Sequence, residues 1–345
     1  MNISVCITVL NEEASTGKLL DSLLNQTKKA DEIVIVDGGS TDRTIEIINH
    51  YQKRFSGIKL LKEKCTRGKG RNLAVEIAKS EIIAMTDAGC VARPDWVEKI
   101  TEPLLGIHPP GIHSATLREA SVYKEFPGKR LPAAWPQVSR GVDFGIDVVA
   151  GFYKMIAKNP MQEAMRVFLG VMSSKFNINF LPSTRSIAFT KTIWEKVRGF
   201  PEELNTAEDT VFNYKLIKSG AKISRVKDAV VEWGMPRGIY DVGCKIYEYA
   251  RGDAKSKIWI FPGKDSTSHN IKAFLIVLRY LLGFGLLVLS FRYNTLPYLF
   301  IGLFVYLVYA FRKAGWWGIP LQFVADAAVI IGFIHGLFES RFEGN

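Results

Sequence analysis

The chain is poor in the features that mark several common classes of site. Its four cysteines, Cys6, Cys65, Cys90 and Cys244, form no C-x-x-C pair among 345 residues. That spacing argues against a structural zinc site or a disulfide framework. The stretch from Met1 to Leu10 has neither a basic leader nor a cleavage site, so it is expected to be a first strand and not a signal peptide. The glycine-rich basic turn Thr66-Arg67-Gly68-Lys69-Gly70-Arg71-Asn72 does not have the G-x-x-x-x-G-K-[ST] spacing, which disfavours P-loop triphosphate hydrolysis. Acidic residues are outnumbered. With 45 Lys and Arg against 34 Asp and Glu, the net charge is +11 and the pI about 9.4, a balance that favours nucleic acid, anionic lipid or a phosphorylated ligand.

Hydrophobic residues are plentiful and unevenly spread, and they divide the chain into three parts. In the first, residues 1–235, strands at 3–9, 32–37, 58–62 and 81–86 alternate with helices at 13–25, 42–54 and 68–79. This order, with β-rich runs such as Glu32-Ile-Val-Ile-Val36, predicts an α/β fold whose mostly parallel sheet is covered by helices. Residues 236–270 are basic and aromatic, a composition suited to a bilayer surface. In the third part, 271–340, the apolar runs 271–291, 296–311 and 319–338 are each about long enough to be transmembrane or membrane-embedded. The first contains Arg279 and the third Asp326 and His335, so buried core helices are the competing reading. Lys255, Lys257, Lys264 and Lys272 precede the first run, and Arg312 and Lys313 follow the second. Arg292 and Arg341 stand on the other side. This bias predicts a multi-pass protein of the cell membrane, with its large domain in the cytoplasm and its tail outside.

Candidate chemistry therefore lies in residues 1–235. Ligands of open α/β sheets bind at the carboxyl ends of the strands. Thr8, Asn11 and Glu12 follow the first strand, and Asp37 ends the second before two glycines. Ser40 to Asp42 are better suited to capping a helix. The basic turn at 66–72 leads into a helix whose N-terminus suits a phosphate, with Lys69 and Arg71 as ligands; a solvated basic face is the alternative. Ala84-Met-Thr-Asp87-Ala-Gly89 ends the fourth strand on one carboxylate, either a ligand or a turn residue. Glu208 and Asp209 open a helix, where acidic residues commonly complement the dipole. Asp95 reads as the start of another helix. His108 and His113 flank a proline turn and read as loop.

Ile7-Thr-Val-Leu-Asn-Glu12, Val36-Asp-Gly-Gly-Ser-Thr-Asp42, Gly68-Lys-Gly-Arg-Asn72, Thr86-Asp-Ala-Gly89 and Ala207-Glu-Asp209 resemble, in this order, the motifs of family 2 glycosyltransferases with the GT-A fold. The resemblance spans most of residues 1–235, and the apolar C-terminus resembles the branch that makes polysaccharides and lipid-linked glycans. It implies a single Rossmann-like domain binding a nucleotide-diphosphate sugar, with Mg²⁺ or Mn²⁺ on the diphosphate. Thr8, Asn11, Glu12 and Asp37 would hold the nucleoside, Lys69 and Arg71 would lie near the base or diphosphate, and Asp87 would contact ribose and metal. Asp209, or Glu208, would be the base that deprotonates the acceptor. Gly89 replaces the second aspartate of the family's D-x-D, which implies a weak metal site formed mainly as the diphosphate arrives. Arg185 would border the acceptor site or brace the Glu-Asp turn. Lys245-Ile-Tyr-Glu248-Tyr249 stands where processive members carry Q-x-x-R-W, which argues against a processive synthase. Arg251 would face a diphosphate or lipid phosphate, or anchor the segment to a membrane.

The expected activity is inverting sugar transfer to a hydroxyl of a lipid-linked or membrane-proximal acceptor. Three rivals stand beside it: a polyprenyl-phosphate glycosyltransferase, a non-catalytic nucleotide-sugar-binding membrane subunit, and a nucleic-acid-binding membrane protein suggested by charge alone. Nucleic acid is not an expected partner.

Overall fold

A computed structural model of the protein describes residues 1–106, 145–261 and 268–342. His108, His113, Lys264 and most of the loop around 111–145 lie outside these residues. Four strands start the fold: β1 (Ile3–Val9), β2 (Glu32–Asp37), β3 (Ile58–Lys62) and β4 (Ile82–Met85). They pair in parallel, with β1 between β2 and β4 and with β3 outside β2. Every residue of β2 is buried, as a β-branched run covered on both faces requires. The helices between them are α1 (Thr16–Leu24), α2 (Thr44–Arg54) and α3 (Arg67–Ile77). On α1, Leu19, Leu20 and Leu23 are buried, at the spacing of one helical face. Two helices start later than the sequence predicts. Glu12 O accepts from the N–H groups of Ser15 and Thr16, and Asp42 caps α2 by accepting from Thr44 N at 3.0 Å.

Beyond β4 the sheet becomes mixed. The short strand β5 (Cys90–Ala92) and helix α4 (Trp96–Thr101) are followed by β6 (Val148–Met155), α5 (Pro160–Leu169), β7 (Ile187–Thr190), α6 (Lys191–Lys196), α7 (Glu208–Lys218) and β8 (Ile223–Trp233). The eight strands run in the order β3-β2-β1-β4-β7-β6-β8-β5. β7 is antiparallel to both β4 and β6, while β8 is parallel to β6. The sheet is thus parallel throughout its first half and mixed beyond it, because β7 returns beside β4 in the opposite direction. Trp96 fills the core beneath this half and donates to Ser186 Oγ at 2.9 Å.

The segment expected along a bilayer contains α8 (Ile239–Ser256), whose Val242, Ile246, Ala250 and Ala254 are buried inside the protein. After it come α9 (His269–Ser290) and the long α10 (Leu296–Phe342). α10 breaks at Ala314 and Gly315, where φ is −152° and 62°. Among the described residues two helices are long and apolar enough to cross a membrane, His269–Ser290 and Leu296–Ser340. The first is almost wholly exposed. The third apolar run of the sequence is different: it forms the second leg of α10 and packs one face on α8, burying Leu321, Ala325, Ala328 and Phe333. Two glycines permit this approach. A Cβ at Gly332 would sit 2.3 Å from Tyr247 O, and one at Gly336 would sit 2.3 Å from Arg251 O. Small residues four apart are the usual device for such close helix contact. The end of α10 therefore returns to the sheet domain, in place of the expected tail on the far side.

The charges inside the apolar runs are paired. Asp326 is buried and accepts from Arg279, from Tyr280 at 3.0 Å, from Tyr306 at 2.7 Å and from Gln322 Nε2 at 2.9 Å. His335 meets the Tyr247 hydroxyl. A carboxylate in apolar surroundings needs such partners to remain there.

Candidate active site

The carboxyl ends of β1, β2 and β4 open into one cleft of about 460 Å³. Thr8, Glu12, Gly38, Thr66 and Arg67 line one side, and Asp87, Gly89, Arg185 and Trp233 the other. Asp37 lies buried behind the wall, where its Oδ2 accepts from the N–H groups of Gly39 and Ser40, both at 3.0 Å. Its Oδ1 is buried without a hydrogen-bond partner.

Arg71 holds Asp87 from behind the cleft lining. It is fully buried, and its guanidinium donates to Asp87 Oδ1 at 2.8 Å and to Glu208 Oε1. Helix α3 delivers the arginine, β4 the aspartate and α7 the glutamate, so three distant stretches meet at one cation. Burial opposes ionisation of Asp87, but Arg71 and then Arg185 outweigh it and hold the carboxyl below the usual aspartate range. Burial pushes the Glu208 carboxyl up, against the pull of Arg71, and Asp209 adds to the rise. The turn before these acids is strained: Ala207 has φ 63°, a region that non-glycine residues rarely occupy outside functional turns.

A second cavity of about 360 Å³ adjoins the first. Asp87, Arg185, Arg67, Thr206 and Tyr249 line both. Asp209 lines only the second, with Tyr153, Asp253 and His269. The α7 backbone thus turns Glu208 inward to Arg71 and leaves Asp209 at the cavity wall. His269 begins α9, so this cavity reaches the start of the first apolar helix. Arg185 divides the two spaces. Its guanidinium stacks on Trp233 at 4.0 Å and Tyr153 at 5.0 Å, donates to the Tyr249 hydroxyl at 3.0 Å, and its Nε lies 3.9 Å from Asp87 Oδ2.

Several candidates are placed elsewhere. Lys69 pairs with Glu63 at 3.2 Å and does not line either cavity. The N-terminus of α3 has no room for the expected phosphate: Arg67 N donates to Asn205 Oδ1, Gly68 N to Leu204 O and Lys69 N to Thr66 Oγ1. A Cβ at Gly68 would lie 1.9 Å from Pro201 O, so its glycine serves chain packing. Asn11, with φ 54°, accepts from Thr41 N at 2.8 Å and ties two turns together outside the cleft lining. Arg251 faces α10 and makes a two-pronged contact with Glu339 at 2.8 and 2.5 Å. The expectation of a phosphate there does not survive that engagement. Asp95 pairs with Lys99 at the start of α4.

Lys245, Glu248 and Tyr249 also line the cleft, in place of the membrane surface expected for the segment that holds Lys245 and Tyr249. Their i, i+3, i+4 spacing puts all three on one helical face, which was the available signal. Trp233 gave none, because only the register of β8 carries it to the cleft.

An eight-stranded mixed sheet with its cleft at the ends of β1, β2 and β4 defines a GT-A fold. A mannosyltransferase of Pyrobaculum calidifontis, solved in complex with GDP-Man and Mn²⁺, superposes with TM-score 0.63 at 17% identity, covering 98% of this chain and 87% of that one. Residues 4–116 match the model described as glycosyl transferase family 2. A poly(ribitol-phosphate) beta-glucosyltransferase of Bacillus spizizenii is 39% identical over 93 residues, which are 26% of this chain and 15% of the relative. The O-antigen chain rhamnosyltransferase RfbN of Salmonella typhimurium is 25% identical over 240 residues, 67% of this chain and 66% of that protein. The chain spans between 15% and 36% of the first four curated relatives it matches.

Proposed function

We propose that the protein is an inverting glycosyltransferase of glycan or polysaccharide synthesis. It takes a sugar from a nucleotide-diphosphate donor and gives it to a hydroxyl of a lipid-linked or membrane-proximal acceptor. The observation that carries this reading is the pair of cavities joined at Asp87 and Arg185, with the turns after β1 and β2 on one side and Asp209 on the other. The first cavity suits the donor, with Thr8, Glu12 and the Asp37 turn toward the nucleoside. The second suits the acceptor, and His269 at its edge puts it beside the first apolar helix. In this reading residues 1–235 are the catalytic domain on the cytoplasmic face, 236–270 join it to the bilayer, and α9 with the first leg of α10 cross it. Lys255, Lys257, Lys272, Arg312 and Lys313, on the domain side, support that orientation.

In the reaction, Asp209 takes the proton of the acceptor hydroxyl as its oxygen bonds to the sugar carbon. The bond from that carbon to the diphosphate breaks, and the nucleoside diphosphate leaves with the electron pair. Orienting the two substrates on opposite sides of Asp87 and Arg185 supplies much of the acceleration. A single base contributes roughly 10²–10⁴-fold.

The expected Mg²⁺ or Mn²⁺ finds a poor donor set in the chain. Asp87 is one carboxylate already held by Arg71 and faced by Arg185. Gly89 supplies no second one, and among the described residues no three His, Cys, Asp or Glu side chains gather as a metal site. These residues do not fit a resident divalent ion.

The test is Asp209→Asn in a transfer assay with the native lipid fraction. Turnover should fall by roughly 10²-fold or more, while donor binding stays within about twofold of wild type. Undiminished turnover would remove Asp209 from the mechanism. A phosphate acceptor is less favoured, because the cation expected to grip it, Arg251, is held by Glu339.

A further inference from the structure

The cleft holds two cations on one indole. Arg185 Cζ lies 4.0 Å from the centre of the Trp233 ring, and Lys245 Nζ lies 5.0 Å from it. Like charges this close repel, and more strongly away from bulk water. The indole face attracts each of them, but it does not neutralise them. Among the described residues, Asp87 alone stands within ion-pair reach of Arg185, and it is already bound to Arg71. Lys245 has no carboxylate partner within that reach among the described residues, and Arg185 Nε is buried without a hydrogen-bond partner. Burial, and after it the charge of Arg185, draws the Lys245 pKa down. A group arranged this way is stabilised when an anion arrives.

The position of the pair gives the anion its identity. Both cations line the cleft together with Gly38, Thr66 and Gly89, and Arg185 stands at the boundary with the cavity that holds Asp209. Gly89 lies against Trp233: a Cβ there would be in van der Waals contact with the indole nitrogen at 3.5 Å, and glycine leaves that volume unfilled. On the reading of this cleft as a nucleotide-sugar site, that boundary is where donor and acceptor react, and the leaving diphosphate belongs there. The place where a carboxylate pair would recruit a divalent ion is instead occupied by fixed positive charge.

We propose that Arg185 and Lys245, held on Trp233, take up the charge of the donor's diphosphate in place of a divalent ion. This rests on the proposed function. It assigns Lys245 a binding role and predicts donor recognition that persists in a chelator.

The experiment is equilibrium binding to the full chain in detergent, with UDP, GDP, ADP, CDP and dTDP and their monophosphates, each in EDTA and in Mn²⁺. At least one diphosphate is expected to bind in EDTA within about threefold of its affinity in Mn²⁺. Lys245→Met should weaken that diphosphate about tenfold, the scale of one charge-assisted hydrogen bond. The same substitution should leave the matching monophosphate nearly unchanged, and Lys245→Arg should restore diphosphate binding. Dependence of binding on Mn²⁺, or a Lys245→Met protein that binds like wild type, overturns the inference and leaves the glycosyltransferase reading standing. Absence of binding by every nucleotide in both conditions overturns both.

Discussion

Arg71 donates to Asp87 at 2.8 Å, and this contact joins the start of the third helix to the end of the fourth strand behind the cleft. The same guanidinium holds Glu208 from the far half of the chain. A planar donor fork suits this bridging as no other side chain does. The contact also ties the geometry of the donor side to that of the acceptor side, because Glu208 precedes Asp209 on one helical turn.

Removing the bridge should therefore be severe. Arg71→Met takes the cation from the buried Glu208 and leaves the half-buried Asp87 with the more distant Arg185, and is expected to lower stability by roughly 3–5 kcal/mol. Arg71→Lys, a compact charge that cannot span both acids, should lie between the variant and wild type. Urea denaturation monitored by fluorescence measures both. A Met variant as stable as wild type would show that the ion pairs are dispensable.

The two acids should leave opposite signatures in pH. The Asp87 pKa is below its ordinary 3.8 in the folded protein, so its contribution is present above that pH and lost as pH falls through the folded value. The Glu208 pKa is above its ordinary 4.5, so its contribution is present below that pH and lost as pH rises through the folded value. Asp87→Asn should flatten the acid fall in melting temperature below about pH 4. Glu208→Gln should flatten the decline above about pH 4.5. Thermal melts between pH 3 and 7 test the pair, and parallel curves for all three proteins would contradict the assignment.

Docking of the last helix should be separable from the sheet domain. Gly336→Val places side-chain atoms against Arg251 O, where even a Cβ would sit at 2.3 Å. The expected cost is roughly 1–3 kcal/mol in helix packing, together with loss of the Arg251–Glu339 pair. Limited proteolysis should then release the C-terminal segment more readily, with the melting of the sheet domain little changed. Unaltered protection of that segment would refute the close contact.

Much of the first half could be read from residues alone. The runs at 3–9, 32–37 and 58–62 match β1, β2 and β3 at both ends, because β-branched stretches bounded by turn residues are local signals. Helix starts were less accurate. Glu12 and Asp42 cap through backbone and side-chain contacts that shift a boundary by two or three residues. The basic turn at 66–72 misled for a related reason: the N–H groups of α3 are met by Leu204 and Asn205, which are far away in sequence.

The sequence by itself determined the alternation of strands and helices, the turns carrying Thr8, Asp37 and Asp87, and the long apolar C-terminal runs. Each depends on neighbours within a few residues, through backbone preference and periodic burial. Only the tertiary structure decided that Arg71 serves Asp87 and Glu208, that Lys245 shares Trp233 with Arg185, and that the third apolar run docks on α8. Those outcomes depend on which distant surfaces meet. Hydropathy cannot separate an apolar face that meets protein from one that meets lipid, and a charge carries no label for its partner. The Asp87 carboxylate had Gly89 beside it where a second acid was expected; the fold surrounds it with arginines instead.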